Sequence, residues 1–89
     1  MPYPIRPLPP ARRALREQVP EAVAAAISSF LYGDLAENPR RVGKPLLLPP
    51  WLGPYSARRG EYRVIYRIDD ERAVVEVVRV DHRATVYRS

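Results

Sequence analysis

The chain has 89 residues, with 15 Lys and Arg against 10 Asp and Glu and a net charge of +5 at pH 7. That length allows one small domain over residues 1–89, with a modest core that hides roughly 60–65% of the unfolded surface. With no cysteine and one histidine, a disulfide framework, a thiolate metal site and a His-rich metal site are excluded, and no cofactor is expected.

Met1 to Pro10 holds five prolines and no apolar run. Neither a signal peptide nor a membrane span is expected there, and a cytoplasmic location follows by default. Tyr3 to Leu8 predicts a short first strand. Pro4 and Pro7 lack ladder donors, so it is an edge strand or barely a strand. Pro9-Pro10 then open a short helix over Ala11 to Gln18 with Leu15 facing inward, since proline suits the first helical turn. Pro20 opens a second helix in the same way. From Glu21 to about Leu35, the spacing of Val23, Ala26, Ile27, Phe30 and Leu31 gives one apolar stripe. Asn38-Pro39 ends it, and the two helices read as a hairpin.

Val42 to Pro54 is a proline-rich connection carrying Leu46-Leu47-Leu48 and Trp51-Leu52. So much apolar surface is expected to pack in part over the core or against a partner. Strands are expected over about 54–59, 61–68, 73–81 and 84–88. In the second of these, Tyr62, Val64, Tyr66 and Ile68 share one face, and Arg63, Ile65 and Arg67 the other. The segment 73–80 is valine on both faces except for Glu76 and Arg79, which suggests a covered central strand whose register the pattern leaves open. A helical hairpin followed by a small antiparallel sheet gives an α+β domain.

Charge is unevenly placed. Residues 1–39 carry four Arg and four acids, whereas residues 40–89 carry eleven bases and six acids, so the whole excess lies in the second part. Fourteen of the fifteen basic side chains are Arg. Arg58, Arg59, Arg63 and Arg67 fall within ten residues and interleave with Tyr55, Tyr62 and Tyr66. Arginine offers phosphate a planar bidentate fork and stacks on bases, so nucleic acid is the expected substrate class.

Three ordered blocks carry a family resemblance. They are Arg41-Val42-Gly43-Lys44-Pro45-Leu46, the run from Tyr55 to Tyr66 (YSARRGEYRVIY), and Val80-Asp81-His82-Arg83-Ala84-Thr85-Val86-Tyr87-Arg88. With the helix pair before them, nearly the whole chain resembles the RelE-type toxins of the RelE/ParE toxin–antitoxin superfamily. The resemblance implies a fold similar to small microbial ribonucleases and metal-independent cleavage of mRNA in the ribosomal A site. It also implies silencing by a RelB-like antitoxin, through which operator DNA is a further partner, and it implies no membrane role.

Cleavage by 2′-hydroxyl attack needs a base at that hydroxyl, positive charge on the phosphorane and an acid at the 5′ leaving oxygen. By resemblance Arg63 contacts the scissile phosphate, Arg83 lies near the leaving group, and Tyr87 orients or stacks on the substrate. As a plain surface residue Arg63 would instead pair with an acid such as Glu76, and Tyr87 would be a core tyrosine. His82 is the only imidazole and a candidate acid or base, although His82 and Arg83, as strand neighbours, cannot both face the site unless the strand ends there. Arg58, Arg59, Arg67, Lys44 and Ser56 are expected to contact substrate or rRNA.

One departure stands out. The family carries lysines on the strand before the Arg-Gly turn, one of them the general base. Here that stretch is Pro54-Tyr55-Ser56-Ala57-Arg58, with Ser56 at the base position. Neither a serine hydroxyl nor a guanidinium is a useful base. Lys44, in the preceding loop, is a more distant candidate. Two further readings stay open. One is a ParE-like toxin that poisons DNA gyrase; the other is a catalytically weak toxin acting with its antitoxin in operon autoregulation.

Overall fold

The computed structural model describes residues 2–47 and 53–82. Strand β1 (Ile5–Pro7) leads into helix α1 (Pro9–Arg13), which continues as a π-helical turn (Ala14–Gln18). Helix α2 (Glu21–Phe30) likewise runs into a π-helical turn (Leu31–Leu35). Strands β2 (Lys44–Pro45), β3 (Tyr55–Arg59), β4 (Tyr62–Asp69) and β5 (Val74–His82) follow. Together they form one sheet in the order β1-β5-β4-β3-β2. The α+β class and the helical hairpin are as expected. The sheet is mixed, because β1 runs parallel to β5 at one edge while the other pairs are antiparallel. A parallel pair needs a long crossover, and here the hairpin and three strands separate β1 from its partner.

Both helices pack on one face of the sheet. Ala11, Ala14, Ile27, Phe30, Leu31 and Leu35 meet Ala57, Val64, Tyr66, Val75, Val77 and Val80 in one buried cluster. Ala11 and Ala14 are the fully buried positions of the first helix, and Leu15 faces the core as expected, half-buried against the same cluster. A π-helical turn takes in an extra residue, so the 3.6-residue stripe slips there. Ala26, expected on the stripe of α2, lies at its solvent edge and is exposed.

The valine run owes its unreadable register to a bulge. Ile65 faces Arg79 but Tyr66 faces Val77, leaving Val78 without an opposite residue. Val75, Val77 and Val80 therefore all reach the core, although their spacing is two and then three. Ile65, on the face away from the helices, is also buried, between Ser56 and Arg79 on the flanking strands.

Two side-chain contacts fasten the segment after α2. The Tyr66 hydroxyl donates to the Pro39 carbonyl oxygen at 2.5 Å, and Arg40 pairs with Asp70 in the turn between β4 and β5. Of the apolar Leu46 to Leu52 segment, Leu46 is half-buried and Leu47 exposed; residues 48–52 and the expected strand 84–88 lie outside the described residues. No helix among the described residues is long and apolar enough to cross a membrane.

Candidate functional site

The site is assembled by strand register. Directly opposite residues of an antiparallel pair share a face. Arg63 on β4 faces Arg58 on β3 and, on its other side, Asp81 on β5. Ser56, two residues before Arg58, faces Lys44 on β2 and Ile65 on β4. All of these occupy the sheet face turned away from the helices. The β3–β4 turn that sets this register passes through Gly60, whose φ of 59° suits a residue without a Cβ.

Lys44, Ser56, Arg58, Arg59 and Arg63 line a single groove of about 440 Å³, with Val42, Gly43, Pro45 and Leu46 as its remaining wall. Four lining residues are cationic and none is acidic. Arg63 is half-buried, its Nε is buried, and its Nη1 donates to Ser56 Oγ at 3.4 Å. Like charges directly opposite one another on a sheet are destabilising, so the Arg58–Arg63 pair is a place where an anion would relieve repulsion.

Gly43 explains part of the Arg41 to Leu46 motif. A Cβ on it would collide with the Tyr66 hydroxyl and sit 3.0 Å from the Ser56 carbonyl oxygen. The Tyr66 phenol is fully buried. Burial pushes its pKa up to about 12, aided by Tyr55 and opposed by Arg59, so it stays a hydrogen-bond donor. Tyr55 stacks on it at 5.6 Å between ring centroids.

The remaining candidates are placed differently. Arg59 faces Tyr62, carries its Cζ 3.6 Å over the Phe30 ring centroid and donates to the Arg58 carbonyl oxygen at 2.5 Å. Its charge sits at the helix-side rim of the groove. Arg67 shares the Arg63 face but lies four residues along β4, roughly 13 Å away, opposite Glu76. Glu76 in turn pairs with Arg6 at 3.9 Å; it is Asp81, not Glu76, that lies opposite Arg63. His82 ends β5 opposite Tyr62 and meets that ring edge-on at 5.3 Å. It therefore belongs to the helix face, across the sheet from Arg63. Arg83 and Tyr87 lie outside the described residues.

Sequence reasoning passed over Asp81 and Arg79, which pair at 2.9 Å beside Arg63. Alternation would have revealed them only with the bulge at Val78 already known. Lys44, expected in a loop, lies on β2, a two-residue strand that includes a proline and leaves no periodic signal.

The same sheet-and-hairpin fold occurs in solved toxin structures. The toxin–antitoxin complex RelBE2 from Mycobacterium tuberculosis matches with a TM-score of 0.86 at 49% identity, covering 93% of this chain and 100% of that one. The isolated Escherichia coli RelE toxin matches with a TM-score of 0.73 at 25% identity, covering 97% and 92%. A family described as "ParE toxin of type II toxin-antitoxin system, parDE" matches residues 7–87. Toxin RelG of M. tuberculosis is 51% identical over 88 residues, 99% of each chain, and toxin RelE of that organism is 46% identical over 72 residues, 81% of this chain and 73% of that one. The chain belongs to the RelE family of type II toxins, within the RelE/ParE superfamily.

Proposed function

We propose that this toxin is a ribosome-dependent mRNA endonuclease that stops translation by cutting message in the A site. The observation that carries this reading is the acid-free groove in which Lys44, Arg58 and Arg63 converge beside Ser56. Such a groove suits a phosphodiester whose charge grows in the transition state. Preorganised donors aimed at that charge are usually the largest single contribution to catalysis. Arg63, half-buried and tied to Ser56, is the phosphate-stabilising group in this scheme. Arg58 is its partner across the strand, and Arg67 and Arg59 serve docking at the margin. Arg83 and Tyr87 keep the roles that the family resemblance implies.

A RelB-like antitoxin is the proposed protein partner, supported by the likeness to the RelBE2 toxin–antitoxin complex; operator DNA would be reached through it. The ParE description of the matching family favours a second reading, inhibition of DNA gyrase. Cleavage of message on programmed ribosomes by wild type and by Arg63→Ala separates the two. The nuclease reading expects cuts within the A-site codon that the substitution abolishes. Intact message together with double-strand DNA breaks in arrested cells would replace it with the gyrase reading.

A further inference from the structure

We infer that Lys44 is the proton-transfer residue of this toxin, standing in across the sheet for the lysine that β3 lacks. The inference rests on the nuclease reading above. Attack by a 2′-hydroxyl requires a group that can take its proton. A guanidinium cannot do so, because it has no lone pair free and does not deprotonate in proteins. Of the fifteen Lys and Arg side chains, Lys44 is the only amine. It is also the residue directly opposite Ser56, and opposite side chains start roughly 5 Å apart at Cβ. Both line the groove that holds Arg58 and Arg63. A lysine's four-carbon stem spans that separation, so the amine can reach space that a longer side chain at position 56 would otherwise fill.

The other proton acceptors among the described residues near this face are poorly placed. Asp81 lies on the far side of Arg63 and is held by Arg79 at 2.9 Å. His82 belongs to the opposite face, against Tyr62. Ser56 accepts from Arg63, which stabilises its oxygen as an acceptor of hydrogen bonds but gives it no basicity.

In the step itself, the Lys44 ammonium first gives a proton to solvent, and the amine so formed takes the 2′-hydroxyl proton and becomes an ammonium again. The 2′-oxygen bonds to phosphorus as the P–O5′ bond breaks. The products are a 2′,3′-cyclic phosphate and a 5′-oxygen that takes a proton from water. Lys44 ends as the ammonium it began as, so the reaction is a balanced transesterification. The ammonium formed also adds charge beside the phosphorane that Arg63 contacts.

The test is single-turnover cleavage on programmed ribosomes by wild type, Lys44→Arg, Lys44→Ala and Lys44→Ala combined with Ser56→Lys. Lys44→Arg keeps a cation at this position and removes the amine that can accept the proton. Its cleavage is expected to fall by about 10²–10⁴-fold with ribosome binding unchanged. The combined variant is expected to recover at least about a tenth of wild-type cleavage, because it restores an amine on the same rung. Lys44→Arg cleaving within about threefold of wild type, with wild type active, overturns the assignment and leaves the nuclease reading intact. A wild type that does not cleave on ribosomes overturns both. Thermal melting of each variant guards the comparison against misfolding, since Lys44 is exposed on an edge strand.

Discussion

Gly43 lies against the buried hydroxyl of Tyr66. This contact ties the loop that delivers Lys44 to the centre of the sheet, and it leaves no room for a methyl group. Gly43→Ala is expected to destabilise the protein by about 1–3 kcal/mol through overpacking. Each kcal/mol lowers the melting temperature of so small a domain by roughly 4–8 °C. A melting temperature equal to that of wild type would mean the loop yields freely.

The same hydroxyl donates to Pro39. Tyr66→Phe leaves that carbonyl oxygen without its donor, at a cost of about 1–3 kcal/mol, measurable by urea denaturation. The phenol also sets an alkaline limit. Its folded-state pKa is raised to about 12, above the ordinary value near 10. The folded state therefore binds more protons than the unfolded state between these values, and stability falls as pH rises through them. The stability at stake is about 3 kcal/mol, fully present below about pH 10, lost as pH rises towards about 12, and without counterpart in Tyr66→Phe.

Arg63 and Arg59 should separate catalysis from stability. Arg63→Ala is expected to lower cleavage by about 10²–10³-fold with little change in melting. Arg59 caps Phe30, and removing that cation–π contact is worth about 0.5–1 kcal/mol of stability. Arg59→Ala should lower the melting temperature by a few degrees and cleavage by less than about tenfold. The reverse ranking in a cleavage assay would refute this division of roles.

In the turn between β4 and β5, Ala73 adopts a φ of 54°. A side chain there costs about 1 kcal/mol or more. Ala73→Gly is expected to stabilise the protein by about 0.5 kcal/mol, after the greater chain entropy of glycine is deducted. Denaturation at or below the wild-type midpoint would contradict this.

What could be read from the residues tracks how local the cause is. Alternation in Tyr62 to Ile68 gave the correct faces of β4, and the stripe around Ile27, Phe30 and Leu31 gave the packed side of α2. Prolines at Pro9 and Pro10 marked a true helix start. The misses have causes distant in sequence. Val78 bulges because β4 pairs with β5, a fact no window of β5 contains. Arg59 turns onto Phe30, 29 residues earlier in the chain. Lys44 becomes a strand residue only because β3 offers it an edge. The site was thus legible as an arginine cluster, while its geometry depended on partners that periodicity does not name.

Among the described residues, both borders of the sheet contain proline: Pro7 on β1 and Pro45 on β2. A visiting strand finds a missing N–H at each, so ladder extension by another chain is obstructed. Recognition is thereby pushed from backbone to side chains, on the broad surfaces and not along the rims. A partner that reads side chains on these surfaces gains a specificity that strand addition would lack.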